Sequence, residues 1–529
     1  MEAMKDALRE HLRTAFRAAA AAAAPGPSQA PAQPAPGGKR PRGAAAGEGA
    51  ENFPPGAGAE APGKRPRGPA APAPAGGVAE ASAPARADEA GRYVIDAAEE
   101  PVVRVRLVGG AEAGADEGAW FAPAFVHQIF GPEELVRGYA GLRVDISLHR
   151  LSCHALVEIA YAEKQPGADD IPALLRDALG LVFTEDRREF AALTAGWSPP
   201  SGTQLTDALG AGTRVATGAT AAGRCDLWRL VPGRADAGTE AQRQAVLAWH
   251  NRMQHLALLF IDGARFIDAA DPRWELLVCT CTAPDGSTSL AGYATCFAFY
   301  QFPCSVRFRL SQLLVLPPFQ RQGLGSMVLT AFRERAVELD ARDSGVEDPT
   351  AALQRLRELL DAKAVAADGA FAAAAAAAVA AAARVRGEQD PRALGPGAAL
   401  ADRARRVHKL NPLQFAKVWE WVLAFEVERF KASGSPKALE RAAAEHGLET
   451  LVKGRIGARF EDKKTPVKCM HELQGRDFFL WRRSNAHQSN IQIEMELDEA
   501  AEEKREELML DLVDQRLAEL AEGARNPKV

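Results

Sequence analysis

Residues Leu310 to Leu329 read LSQLLVLPPFQRQGLGSMVL, and few arrangements of backbone accept that order. The leucine- and valine-rich run has the composition of a buried strand. Pro317 and Pro318 end it, because proline has no N–H to give to a sheet ladder. A Gln/Arg/Gly cluster follows, and helical periodicity then begins at once. A strand, a glycine-bearing turn and a helix start in that order have the chemistry of a phosphate cradle. Glycines let the backbone approach a ligand, successive N–H groups point at one spot, and the positive end of the helix dipole adds to the attraction. The turn is not a Walker A loop, since no Lys-Ser/Thr follows the glycine, and not a dinucleotide fingerprint, since the third glycine is missing. The competing reading of so short a glycine turn is a plain connector.

The elements around it narrow the choice. Residues Gln242–Asp268 read as one long helix followed by a turn. RWELLVCTCTA is a strand, Asp285-Gly286 supplies a hairpin turn, SLAGYATCFAFYQF returns as a second strand, and VRFRLSQLLVL is the third. Upstream, VVRVRLV from Val102 alternates apolar and charged residues as a half-buried strand does. Leu142–Lys164 reads as two more strands, so a small sheet-rich domain is expected to end near residue 200. Downstream, Asn411 suits a helix N-cap and Pro412 the first turn, with Phe415, Val418, Trp419, Val422 and Leu423 on one face. The chain closes with a charged helix, Asp498–Glu522, carrying Leu508, Leu512, Leu517 and Leu520; it either packs on the domain or serves a partner.

With 529 residues the chain has room for two or three domains. Its net charge of -5 excludes a molecule that binds polyanions by bulk charge, and no direct nucleic-acid contact is expected. The seven cysteines have no CxxC spacing and no histidines at zinc-ligand distances, so neither a metal site nor the disulfides of a secreted protein is expected, and a reducing compartment fits. The alanine run from Ala370 to Ala383 is short of the roughly 20 residues a membrane span needs, and reads as a solvent-exposed helix or a disordered insert. No membrane partner is expected. The first 24 residues form an amphipathic pattern whose Glu2, Asp6 and Glu10 argue against a transit peptide. Residues 25 to about 92 are Pro-, Ala- and Gly-rich and should be disordered. Within them GKRPRG occurs twice, at Gly38–Gly43 and Gly63–Gly68, as a nuclear import signal or nucleic-acid-touching patch, or else as a charged linker.

The strand–turn–helix resembles the GNAT acetyltransferases, whose signature Gln/Arg-x-x-Gly-x-Gly/Ala is matched by Gln320, Gly323 and Gly325. FAPAFVHQIFGPEELVRGYAGLRV (Phe121–Val144), FIDGARFIDAADPRW (Phe260–Trp274), RLSQLLVLPPFQRQGLG, VEDPTAALQRLRE (Val346–Glu358) and KLNPLQFAKVWEWVL resemble, more closely, the catalytic subunit of type B histone acetyltransferase. They stand in that family's order and cover roughly residues 100 to 525, apart from the alanine insert.

The resemblance implies an α+β fold. A GNAT acetyltransferase core, a mixed sheet with helices at 201–362, would be flanked by a sheet-rich N-terminal domain at 93–200 and a helical C-terminal domain at 406–529. A low-complexity tail at 1–92 and an Ala-rich insert at 363–405 complete the division. It also implies transfer of acetyl from acetyl-CoA, without a metal, to lysines in the N-terminal tail of newly made histone four. The enzyme would shuttle between nucleus and cytoplasm and pair with a WD-repeat histone-binding chaperone. Leu313, Leu314 and Val315 would line the pantetheine arm. Gln320, Arg321, Gln322, Gly323, Leu324, Gly325 and Ser326 would surround the pyrophosphate, with Thr350 also at the cofactor. Arg321 departs from the family, which has glycine there.

Acetyl transfer to lysine needs a neutral amine, and with a pKa of ~10.4 only roughly one free lysine in a thousand is ready at neutral pH. A base is therefore expected beside the thioester. Glu347 precedes Asp348-Pro349, and proline should hold Asp348 extended, so that the two acids face opposite ways. Burial and a neighbouring carboxylate would raise a glutamate toward the useful range. The resemblance makes Glu347 the base and Asp348 its assistant; from the residues alone, an acidic pair capping the next helix explains them equally well. A third acid of the family falls on Asp262, where glutamate is usual. For the histone tail the resemblance implies contacts from Pro132, Glu133 and Glu134, and from Phe297, Ala298 and Phe299, where tyrosines are usual. Acidic contacts would steer a basic peptide.

Overall fold

The computed structural model describes residues 93–109, 118–179, 183–195, 212–458 except 389 and 435, 467–469, 493–495 and 502–526. The amphipathic start, the Pro-rich tract and both GKRPRG elements lie outside the described residues.

The N-terminal region is sheet-rich. Strands β1 (Val94–Asp96), β2 (Val103–Val108), β3 (Leu135–Arg137), β4 (Tyr139–Ala140), β5 (Arg143–His149), β6 (Ala155–Ala160), β7 (Glu163–Lys164) and β8 (Phe183–Thr184) are joined by helices α1 (His127–Phe130) and α2 (Ile171–Leu179), and α3 (Arg187–Ala195) follows. Four of these strands make one sheet in the order β2-β5-β6-β8. Val103, Val105, Val144, Ile146 and Val157 are buried in it, as the alternation in VVRVRLV predicts.

The second region is a six-stranded sheet ordered β14-β13-β12-β11-β10-β9. Its strands are β9 (Thr213–Thr220), β10 (Gly223–Leu230), β11 (Trp274–Thr282), β12 (Thr288–Gln301), β13 (Ser305–Val315) and β14 (Asp343–Val346). All neighbours are antiparallel except β13 and β14, which run parallel across helix α5 (Leu324–Glu338). The meander read from sequence is present, with Gly286 at φ 85° in the β11–β12 turn. Strands β9 and β10 were not foreseen. Their register sets Cys225 opposite Cys281, and the two are bonded. This corrects the expectation of no disulfide; a pair separated by 56 residues leaves no spacing signature.

Helix α4 (Glu240–Phe260) is the other support of this region. Thr239 and Gln242 close a capping box at its start, and Trp249, Met253 and Leu256 are buried along it. Its contacts join it to the N-terminal region. The Trp249 indole N–H donates to the Leu151 carbonyl at 2.8 Å, and Arg252 Nε donates to the Ser152 carbonyl at 2.7 Å.

Beyond β14 come α6 (Ala351–Ala366), α7 (Gly369–Ala382), α8 (Gly397–His408), α9 (Pro412–Ala432), α10 (Ala438–Gly457) and α11 (Glu502–Arg525). Asn411 caps α9, accepting from Gln414 N at 2.8 Å. The alanine run is an ordered helix with one exposed face and one buried face. It is α7, which buries Phe371, Ala375, Val379 and Ala382, and packs on α9 through Phe371, whose ring lies 5.7 Å edge-on from Phe415. Its small side chains permit the close approach that bulky neighbours then fill. The terminal helix packs on the same core: Arg516 reaches Glu358 on α6 and Glu420 on α9 at 2.8 and 2.9 Å.

Candidate active site

Strand β13 has two unlike edges. Toward β12 it is paired along its length, to Gly292↔Val315. Toward β14 it is paired only from Arg307↔Asp343 to Leu310↔Val346, and the last rung is Glu347 N donating to the Leu310 carbonyl at 2.9 Å. At that point the β12–β13 ladder slips. Thr295 faces Gln312 and Cys296 faces Leu310, which leaves Ser311 as the extra residue of a bulge. From Ser311 to Val315 no strand pairs with the outer edge among the described residues. The parallel pair thus opens into a cleft lined on one side by free backbone, where an extended ligand bearing amide groups can add itself as a strand.

The free edge leads into the glycine turn. A short 3-10 turn over Pro317–Phe319 brings the chain round. Gln320 Nε2 donates back to the Val315 carbonyl at 2.9 Å. Gln322 donates to the Pro318 carbonyl at 3.0 Å and accepts from Ala222 N at 3.1 Å. Both glutamine amides therefore shape the turn, and what the turn presents outward is backbone. Gly323 is the N-cap of α5 at φ 88°, with no side-chain cap and nothing within 4 Å of where a Cβ would stand. The first N–H groups of α5 are left for an anion. Leu324 is buried, Ser326 is half-buried, and a Cβ on Gly325 would meet Leu356 at 3.4 Å. Arg321 is exposed at φ 60°, which explains physically why glycine suits that position. Thr350 Oγ1 caps α6, accepting from Leu353 N at 3.3 Å.

The candidate acids come from two elements. Glu347 is exposed and follows β14 directly, at the mouth of the splay. Asp348 is exposed too, but at φ 33° it is left-handed, not extended. The strand-like alternation expected of the pair does not hold, because the chain turns sharply there before the cap of α6. Asp262 sits just past α4 with its carboxylate 3.5 Å from His127 Nε2. The other nitrogen of His127 is 3.8 Å from Glu134. Glu134 is 1% exposed and at φ 54°, so it faces inward. Pro132 and Glu133 are exposed, and Glu133 pairs with Arg137 at 2.9 Å. Three of the six non-glycine residues with positive φ among the described residues, Glu134, Arg321 and Asp348, thus fall at candidate positions, as strain tends to do.

The aromatic positions divide in the same way. Phe297 and Ala298 are buried, whereas Phe299 is 38% exposed. Trp274, Phe297 and Phe299 form a row with ring centroids 4.6 Å apart, and Arg273 and Arg309 lie 4.8 Å from the faces of Phe297 and Phe299. Sequence reasoning missed His127 and Gln312. Gln312 left a signal, since it is the one amide inside an apolar strand.

Comparison with known proteins agrees with this geometry. Residues 93–262 match the family described as "Histone acetyl transferase HAT1 N-terminus", and residues 245–357 match "Acetyltransferase (GNAT) family". Among curated relatives, the histone acetyltransferase type B catalytic subunit of Arabidopsis thaliana is 23% identical over 427 residues, covering 75% of this chain and 85% of the relative. That of Mycosarcoma maydis is 29% identical over 344 residues, 60% and 72% respectively. That of Rattus norvegicus is 29% identical over 270 residues, 49% and 61%. The open strand edge and the glycine turn both lie within the match to the acetyltransferase (GNAT) family, and the chain is similar to type B histone acetyltransferase catalytic subunits.

Proposed function

We propose that the enzyme transfers acetyl from acetyl-CoA to lysines in the N-terminal tail of newly made histone four. The observation that carries this is the splay of β13 from β14, with an exposed glutamate at its mouth and an uncapped helix at its far end. The fit to the cosubstrate rests on the unpaired edge Ser311–Val315 for the pantetheine amides and on the open space at Gly323 for the pyrophosphate. Acetyl-CoA would supply the acetyl group already activated as a thioester. Glu347 takes the proton from the lysine ammonium, which frees the lone pair. Asp348, next in the chain, and Asp262, just past α4, would favour an approaching cation. Glu133 and the face of Phe299 are the tail contacts that exposure allows.

The resemblance to the family supports a WD-repeat histone-binding chaperone as partner, and the paired GKRPRG elements support passage between cytoplasm and nucleus. A chaperone that leaves tail acetylation unchanged when added would count against the first. A fluorescent fusion that still enters nuclei with both elements deleted would count against the second.

The deciding experiment is transfer of labelled acetyl to a histone-four tail peptide, wild type beside Glu347→Gln. Loss of a general base predicts a fall of about 100-fold or more in the variant. Equal activity in both would move the base to Asp348 or Asp262. CoA binding without turnover in either would overturn the reading in favour of a histone-binding scaffold.

A further inference from the structure

Asp262 lies in the segment between α4 and β11, which has no sheet ladder of its own to fix it. Besides His127 at Asp262 itself and Gln128 Nε2 donating to the Ile261 carbonyl at 3.4 Å, two buried glutamines hold it. Gln254, on α4, accepts from Ile267 N at 3.1 Å. Gln312, on β13, donates from Nε2 to the Arg265 carbonyl at 2.8 Å, and its Oε1 lies 3.4 Å from the Thr295 hydroxyl. Gln312 is 8% exposed and Thr295 fully buried. A carbonyl only accepts and a hydroxyl can donate, so the amide has one orientation that satisfies both ends. Gln312 also stands at the bulge, two residues past Leu310, whose carbonyl holds Glu347 N. One side chain thus ties the strand that carries the open edge and the Glu347 rung to the segment that carries Asp262.

We propose that Gln312 is a positioning residue for acetyl transfer: through its bond to the Arg265 carbonyl it holds the Asp262 segment in register with the cofactor strand and Glu347. The proposal rests on the reading of Asp262 as an acid of the transfer. Gln312 touches no reacting atom in this scheme, and its effect passes through the segment at 261–268. The chemistry at position 312 is specific. Methionine keeps the shape and loses the donor. Glutamate also keeps the shape, but when ionised sets a negative oxygen against the Arg265 carbonyl, and only its protonated form donates.

The test uses the full chain with Gln312→Met, Gln312→Glu and Thr295→Val, the last disturbing the far end of the amide with little change in volume. Three quantities are read: kcat at saturating acetyl-CoA, CoA affinity, and amide hydrogen exchange in residues 262–268 without acceptor. Gln312→Met should lower kcat roughly tenfold to a hundredfold, as expected for a misplaced catalytic group. CoA affinity should change less than twofold or so, because the strand edge is intact. Exchange in 262–268 should rise. Gln312→Glu should recover activity relative to wild type as pH falls and its carboxyl protonates, and Thr295→Val should show a weaker form of the methionine effect. Unchanged kcat and exchange in Gln312→Met would overturn the proposal. So would losses of kcat and CoA affinity in equal proportion, which would mark a residue that merely supports the strand. The exchange experiment needs no acceptor, so it stands apart from whether a histone tail is the substrate; wild-type turnover on the tail answers that.

Discussion

On the proposed cofactor side of the cleft the groups open to a ligand are backbone: the free edge of Ser311–Val315, the turn through Gly323 and the first N–H groups of α5. On the proposed acceptor side they are side chains: Asp262 beside His127 in a segment without a ladder, Phe299 at the end of an aromatic row on β12, and Glu133 on the surface. Backbone recognition tolerates almost any side chain provided the φ/ψ values are kept. Side-chain recognition tolerates backbone drift but changes with each substitution. Most departures from the family follow that division: Asp262, Phe297 and Phe299 fall at proposed acceptor positions, whereas Gln320, Gly323 and Gly325 keep the motif and Arg321 alone departs within the turn.

If the acceptor side depends on α4, then acid should strike it hard, and this is the largest effect we predict. His250 on α4 is fully buried, its ring 6.2 Å edge-on from Tyr293, and desolvation pushes its pKa down to about 4. The folded state keeps it neutral, while the unfolded chain takes up a proton near 6.5. Stability from this group is therefore complete above pH 6.5 and is lost as pH falls toward 4, by on the order of 3 kcal/mol. His149 and His154, at the β5–β6 turn that meets α4, are also pushed down to about 4 by burial and act in the same direction. Urea unfolding at pH 7, 5 and 4 should show the loss, and His250→Phe should make it shallower. An identical acid slope in that variant would remove His250 from the account.

The cofactor side has its own test. Gly323→Val puts a branched residue at φ 88°, a conformation that costs L-residues about 1–2 kcal/mol, and fills the open space at the start of α5. CoA affinity should fall roughly tenfold. Phe299→Ala should do the reverse, raising the KM for the tail a few-fold while leaving CoA binding alone, since one exposed cation–π face contributes about 0.5–1 kcal/mol. Were both variants to lose CoA and tail binding together, the two sides would not be separable.

The same division explains what the sequence could show. The glycine turn was legible because its signal is local: prolines, glycines and the change of period sit within 20 residues of one another. So were the meander, through Asp285-Gly286, and α9, through Asn411-Pro412. The pairings were not. Nothing local sets Cys225 against Cys281, or turns Glu134 inward toward His127. The left-handed φ of Asp348 was hidden for the opposite reason: the proline rule is a local preference, and here the exit from β14 overrides it. The buried face of the alanine helix was not legible because alanine alone does not distinguish a wholly exposed helix from one packed against Phe415.

Two smaller effects sharpen the contrast at single residues. Asp262→Glu restores the family's longer acid; with His127 only 3.5 Å away the added methylene must rearrange that pair, and we expect kcat to change by roughly twofold to fivefold, upward if reach limits the present enzyme. A fall would mean that the segment has adapted to aspartate.

The smallest effect is expected at Arg321, where the two kinds of recognition meet in one residue. Its backbone at φ 60° favours glycine by about 1 kcal/mol, but glycine also loses more chain entropy on folding, so Arg321→Gly should shift stability by under ~1 kcal/mol. The guanidinium is exposed beside the turn, where a phosphate-bearing ligand would pass. Its removal should weaken CoA binding about twofold to threefold at low ionic strength and leave little difference at high salt, because screening already weakens an exposed contact. A loss of affinity that persists at high salt would place Arg321 against the ligand directly, and the cofactor side would then owe part of its recognition to a side chain after all.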